Sequence, residues 1–378
     1  MKTPTVSVVI PSYNHGAFIG EAIQSVLNQT FQDFELIVVD DASPDDSVEQ
    51  IKKFKDARIR TKFRKHNQGG AYTNSEAVEM AKGKYVAVLS SDDKFHPEKL
   101  EKQVRFLEAH PECGAVFTRA TLIDEGGVEI ARDRHFLYRV FDKKNRSRYE
   151  WLNQFFYEGN CLCHPSVLIR KKVYDELGAY RPHLFALPDW DMWVRVCLKF
   201  DIHVMPERLL YFRILRGLKN ASAPRVDTYL CNHNETLHIL RHYEKITDAQ
   251  EFFRIFPEAM TWRVGDDNLK FLLAKVALGK KTSKASKQYG LTLLYELFSI
   301  EARAAELSGK YDFDHNELVA TARETDTRIG LENARETLPF LLLRSVYHKL
   351  KSDGRYVAQR LNKLLGHGSL AGSADSIT

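Results

Sequence analysis

Four short apolar runs rich in β-branched residues open the chain, and segments of helical spacing separate them. The runs are VSVVI (6–10), ELIVVDD (35–41), IRTKF (59–63) and YVAVL (85–89). Between them lie AFIGEAIQSVLNQ (17–29), SVEQIKKF (47–54) and AYTNSEAVEMAKG (71–83). HPEKLEKQVRFLEAH (96–110) follows, with Pro97 suited to a first helical turn. Continuous apolar strands alternating with helices predict a largely parallel sheet covered on both faces. GAVF (114–117) reads as a fifth strand.

Beyond this alternation the pattern loosens. From about Thr118 to Arg148 the sequence is charged and turn-rich and contains Glu125-Gly126-Gly127. A second set of elements follows in PSVLIRKKVYDELGAY (165–180), PDWDMWVRVCLKF (188–200) and IHVMPERLLYFRI (202–214). After Lys219 the chain is helix-rich, as in NLKFLLAKVALG and LTLLYELFSIEARAAEL. A length of 378 residues suggests two domains. We read a sheet-bearing domain over 1–225, a mainly α-helical region over 226–366 and a disordered tail over 367–378.

Composition excludes some classes. Hydrophobic residues make up 44% and charged residues 28%, which supports a sizeable core. A formal charge of +5 is mild for this length, and no nucleic-acid partner is expected. Five cysteines lack the spacing of a disulfide framework or a zinc site, which suits reduced thiols in a cytoplasmic protein. VSVVI is too short for a signal-peptide core or a bilayer span, and no later run qualifies. One stretch keeps a membrane surface in view. Residues 338–365 combine apolar clusters with six Lys and Arg against the single acid Asp353. Such a segment either lies on an anionic membrane at the inner face of the cell or packs as an ordinary amphipathic helix.

Ligands of open parallel sheets bind outside the carboxyl ends of the strands, where loops converge. Three exits here carry chemistry: Pro11-Ser12-Tyr13-Asn14, Asp40-Asp41-Ala42-Ser43 and Ser90-Ser91-Asp92-Asp93. Adjacent carboxylates repel, so Asp92 and Asp93 call for a compensating cation or donors. A hard divalent ion bridging carboxylate to a ligand's phosphates would resolve the repulsion. Asp41 is suited to accept hydrogen bonds from a nucleoside. The bland alternatives are helix and turn capping by these acids and loop anchoring by Tyr13.

These residues resemble family 2 glycosyltransferases, which have the GT-A (Rossmann-like) fold. The likeness runs through VSVVIPSYNHGAFIGEAIQSVLNQTFQDFELIVVDDASPDDS, HNQGGAYTNSEAVEMAKGKYVAVLSSDD and HPSVLIRKKVYDELGAYRPHLFALPDWDMWVRV, about residues 5 to 215. It implies that Pro11, Tyr13 and Asp41 line the nucleoside pocket, with Asn67 at its border. Asp92 would contact ribose or a metal-bound water, and Asp93 would ligate Mn²⁺ or Mg²⁺. Asp189 matches the family's catalytic base, six residues before Arg195. The sequence departs from the family pattern in places. Ser90 stands where an Asp is frequent, and Pro188 where a Glu commonly precedes the base. The segment after Arg213 lacks a His, leaving Arg216 or Lys219 as candidate diphosphate contacts.

The resemblance implies inverting transfer from a nucleotide sugar, in particular a UDP-sugar, to a saccharide or lipid-linked saccharide in surface polysaccharide synthesis. A carboxylate within reach of the acceptor hydroxyl takes its proton, and Asp189 is the candidate. Asp191 competes with it, but neighbours two apart on a helix point in different directions. Trp190 is a candidate acceptor platform, whereas Trp193 suits core packing and Arg195 a structural ion pair. His96 and His164 read as loop or capping residues rather than ligands. Two rivals stand beside this reading. A sugar nucleotidyltransferase would want a Gly-rich basic loop after the first strand, and PSYNHGAF has one Gly and neither Lys nor Arg. A non-catalytic nucleotide-sugar-binding scaffold would keep the fold without turnover. Oligomeric state is not legible in the sequence.

Overall fold

The computed structural model of the protein describes residues 3–218 and 226–327. Lys219, the boundary placed near residue 225, the basic stretch 338–365 and the tail 367–378 lie outside the described residues. Within them, one eight-stranded sheet carries the fold. Its strands are β1 (Val6–Ser12), β2 (Phe34–Asp40), β3 (Ile59–Phe63), β4 (Tyr85–Val88), β5 (Lys94–Phe95), β6 (Cys113–Ile123), β7 (Leu168–Arg170) and β8 (Asp201–Arg213). Their order across the sheet is β3-β2-β1-β4-β7-β6-β8-β5.

The first four strands run parallel, as their apolar runs predict. β7 then enters antiparallel between β4 and β6, and β6 lies parallel to β8. The helices that concern the site are α1 (Gly16–Leu27), α2 (Ser47–Lys52), α3 (Gly70–Met80), α4 (Lys99–Ala109), α5 (Leu137–Phe141), α6 (Arg148–Glu158), α7 (Lys171–Leu177), α8 (Pro188–Cys197) and α9 (Val226–Leu240). Further helices continue to Glu324.

One expectation needs correcting. Thr118–Ile123 is not turn-rich coil but the second half of β6, paired with β8 between Met205 and Arg213. Its burial alternates, with Arg119 and Thr121 less buried than Thr118, Ala120 and Leu122. The charged and polar residues that suggested a loop sit on the wetter face of a strand.

Strand periodicity divides the core. Val9, Ile37, Val39, Val86 and Val88 point to one face of the sheet, into a cluster with Trp151, Trp193, Ile239 and Leu318. Val8, Ile10, Leu36, Val38, Ala87 and Leu89 point to the other, against Ile19, Ala22, Ile23 and Val26 of α1 and Leu100 of α4. Successive strand residues face opposite ways, so an unbroken apolar run fills two cores at once. The first cluster runs on from the sheet into the helices after Val226. Trp193 is fully buried and meets Phe117 edge-on at 4.8 Å, and Tyr243 Oη donates to the Leu152 carbonyl at 2.7 Å. Among the described residues no helix is long and apolar enough to cross a membrane.

Candidate active site

The carboxyl ends of β1, β2 and β4 meet, and side chains stitch their exit loops together. Asn14 N–H donates to Ser43 Oγ at 2.9 Å, and His15 N–H to Ser47 Oγ at 3.2 Å. His15 Nδ1 lies 2.8 Å from Ser91 Oγ and 4.0 Å from Asp92 Oδ1. Asp45 accepts from Gly16 N–H at 2.7 Å. That approach needs a glycine, since a Cβ at position 16 would stand 2.0 Å from Asp46 Oδ1. Two non-glycine residues adopt left-handed backbone at these same exits, Asn14 (φ 55°) and Ala42 (φ 61°). Such conformations cost energy and concentrate where loops are shaped for a ligand.

Asp92 and Asp93 are both buried at the β4 exit. Asp93 Oδ1 accepts the main-chain N–H of Arg213 at 2.7 Å, while the Arg213 Nε–H donates to the Asp92 carbonyl at 2.7 Å. Arg213 itself is fully buried and also donates to the carbonyls of Asp124 and Glu125 and to Glu21. The second oxygen of Asp93, Oδ2, is buried without a hydrogen-bond partner. Burial, and then the charge of Asp92, push the Asp93 carboxyl well above the ordinary carboxylate range, with Arg213 and the neighbouring Ser90 hydroxyl pulling the other way. Burial likewise raises Asp92, against the opposing pull of His15 and Arg213. An orphaned buried carboxylate oxygen beside a second raised carboxyl is a donor set that fits a hard divalent cation. Among the described residues no three His, Cys, Asp or Glu gather to hold a metal, so part of any coordination shell must come from ligand or water.

Asp189 stands at the N-terminus of α8, partly buried. Asn160 Nδ2–H donates to its Oδ2 at 2.6 Å and Trp190 N–H to its Oδ1 at 2.8 Å. Burial lifts its pKa to about 6, and Glu235 adds to the rise, against those two hydrogen bonds. The charges of Asp93 and Asp189 both act on the buried Cys163 thiol, raising it further after burial itself.

The other expected residues fall as follows. Pro11 is the penultimate residue of β1, and Tyr13 beyond the strand is 46% exposed. Asp41 is 2% exposed, accepts the N–H groups of Gln68 and Gly69 and lies 3.4 Å from Arg64 Nη1. Its carboxylate is thus engaged in folding the loop of Asn67, whose Oδ1 also accepts Gly69 N–H. Trp190 is 4% exposed and part of the core, so its ring offers no open face for stacking. Arg216 projects outward, 3.5 Å from Glu125. Asp191 is fully buried and accepts from Arg195 Nε at 2.7 Å, with His242 Nε2 also 2.7 Å away. His164 pairs with Tyr180 Oη at 2.8 Å, and burial lowers its pKa to about 4.

Sequence reasoning missed Arg213, His15, Asn160 and Glu235. Glu235, on α9, accepts the N–H groups of Phe185, Ala186 and Leu187, the loop entering α8. A basic residue closing the apolar run LLYF was the one legible hint of Arg213. The others had none.

Comparison with known proteins identifies the family. Residues 7–178 match the model for "Glycosyl transferase family 2". The chain is 32% identical over 238 residues to the uncharacterized glycosyltransferase MJ1057 of Methanocaldococcus jannaschii, covering 61% of this chain and 74% of that one. It is 39% identical over 135 residues to TuaG of Bacillus subtilis, whose name assigns it to teichuronic acid biosynthesis, covering 35% of this chain and 53% of TuaG. Among solved structures, Staphylococcus aureus TarS 1–349 in complex with UDP-GlcNAc shares the fold with a TM-score of 0.54. Identity to it is 16%, covering 81% of this chain and 91% of that one.

Proposed function

This chain belongs to glycosyl transferase family 2 and is a glycosyltransferase, and we propose that it performs inverting transfer from a UDP-sugar. The acceptor in this reading is a saccharide or lipid-linked saccharide of a surface polysaccharide, the setting that the name of TuaG suggests. One observation carries the reading. The buried Asp92–Asp93 pair at the β4 exit keeps one carboxylate oxygen without a hydrogen-bond partner, and His15 from the β1 exit reaches its loop.

Each residue then has a task. The loops of Pro11, Tyr13 and Asn67 border the nucleoside, and Asp41 holds the Asn67 loop in place. Asp93, with Asp92 beside it, would hold Mn²⁺ or Mg²⁺, which neutralises a leaving diphosphate when bound. Asp189 accepts the proton of the attacking hydroxyl. A pKa of about 6 suits a base working near neutrality, ionised yet still basic enough to take a proton. Asn160 and the Trp190 N–H fix the orientation of its carboxylate, which leaves the remaining lone pairs for the acceptor.

The test is a thermal-shift screen of UDP- and GDP-sugars with and without Mn²⁺, followed by a transfer assay on the nucleotide sugar that binds. Stabilisation by a UDP-sugar that requires the metal supports the reading. If no nucleotide sugar raises the melting temperature, the reading is wrong.

A further inference from the structure

Arg181, His183 and His238 bring three basic side chains to one point beside the loop that enters α8. Arg181 Nη1 lies 3.1 Å from His238 Nε2, and His183 Nε2 lies 3.3 Å from the same nitrogen. The two imidazoles meet edge to face at 5.0 Å. Both histidines are exposed, and Arg181 is partly so. A neutral imidazole nitrogen offers a single lone pair, so two donors converge on one acceptor. Protonating His238 would remove that acceptor and set two cations, Arg181 and His238, against each other.

The nearby acids are engaged elsewhere. Asp191 lies 3.6 Å from Arg181 Nε, but it is fully buried and paired with Arg195 and His242 at 2.7 Å each. Glu235, one turn before His238 on α9, directs both oxygens to the N–H groups of Phe185, Ala186 and Leu187. His242 meets His238 edge to face at 6.5 Å and faces Asp191.

We propose that Arg181, His183 and His238 form a subsite for an oxyanion carried by the acceptor, a phosphodiester or a sugar carboxylate. An oxyanion presents several lone pairs where the imidazole presents one, so all three side chains can donate to it together. The place suits an acceptor. Arg181 approaches Asp191 in the first turn of α8, two residues from Asp189, and the charge of Glu235 one turn from His238 is felt at Asp189. Phe185, on the same loop, is 67% exposed and gives a flat apolar surface of the kind sugar rings stack on. That the anion belongs to an acceptor rests on the transferase reading above; the anion site itself does not.

The experiment is a titration of the full chain, carrying ¹³C-labelled histidine, followed by NMR at fixed pH. Sodium phosphate and methyl glucuronide are the two probes, with sodium chloride at equal ionic strength as control. H183Q and H238Q assign the two ring signals. Saturable movement of both signals with either probe is expected, and the tighter probe names the kind of anion. R181Q should weaken the apparent affinity about tenfold or more, the loss of one charge-assisted bond. Movement that only follows ionic strength, or that is unchanged in R181Q, overturns the subsite. Because Arg181 also approaches buried Asp191, H183Q gives a second reading on an exposed side chain. The His238 signal should then saturate at higher phosphate, and an unaltered curve again overturns the proposal. UDP binding, followed separately by thermal shift, tests the transferase reading alone. Its absence would remove the acceptor assignment while leaving the phosphate result standing.

Discussion

Arg213 grips Asp93 from beneath, its main-chain N–H on Asp93 Oδ1 at 2.7 Å and its guanidinium on the Asp92 carbonyl. The contact joins the end of β8 to the exit of β4 across 120 positions. It satisfies one oxygen of Asp93 and leaves the other buried and free of hydrogen bonds. The donated bond fixes the carboxylate and leaves a lone pair on Oδ2 unused. The guanidinium also reaches two carbonyls and Glu21, so it anchors the pair rather than merely neutralising it.

The orphaned oxygen leads to a first prediction. Asp93→Asn should abolish the Mn²⁺-dependent part of nucleotide stabilisation and lower transfer by about 10³-fold, several kcal/mol of charge neutralisation. Chelation of the wild-type protein should have the same effect. A variant whose melting temperature with UDP still responds to Mn²⁺ would remove Asp93 as ligand.

Asp189 links pH to both stability and rate. Its folded pKa of about 6 lies above the ordinary aspartate value of 3.8, so the native state binds the proton more tightly than the unfolded chain. The group then costs nothing below about pH 4, and its full penalty is present above about pH 6. Asp189→Asn should therefore stabilise the unliganded protein by about 1–3 kcal/mol at pH 7.5, with the gain fading toward pH 4. Transfer should drop about 10²–10⁴-fold in the same variant. In the wild type, transfer should fall as pH drops through about 6. Denaturant melts at the two pH values and a rate profile check these outcomes together.

Glu235 acts on Asp189 without touching substrate, as a positioning residue. Its negative charge contributes to the raised pKa of Asp189, and its oxygens hold the preceding loop. Glu235→Gln should shift the acidic limb of the rate profile to lower pH while lowering kcat. A purely structural role would lower kcat and leave the limb in place, so the pH profile is the deciding measurement.

Ala42 carries a strained conformation that glycine tolerates. At φ 61° its Cβ crowds the following carbonyl, at about 1–2 kcal/mol. Glycine removes that cost but gives up about 0.5–1 kcal/mol of backbone entropy. Ala42→Gly should thus stabilise the protein by up to about 1 kcal/mol, seen as a small rise in melting temperature with the Asp41 loop intact. A destabilised variant would show that the Ala42 side chain contributes packing that outweighs the strain.

The strand exits were legible because they are local. An apolar run ended by polar residues marks a strand and its loop whatever lies elsewhere, and Pro11, Asp41, Asp92 and Asp93 follow from that pattern. The extent of β6 was not legible, since its wetter face carries polar residues and only its partner β8 shows it to be a strand. Trp190 illustrates the same limit. Its sequence position suggested an open platform, and burial in the core closed it.

Local chemistry thus identified the α/β class and the residues at the ends of β1, β2 and β4, because periodicity and strand boundaries are written in neighbouring side chains. Arg213 beneath Asp93, Asn160 and Glu235 around Asp189, and the meeting of Arg181, His183 and His238 were decided only by folding. Each depends on segments tens to more than a hundred positions apart, brought together by sheet order and by the packing of α9 against α8. No short stretch of sequence encodes such a contact, since its energy exists only when both partners have been placed.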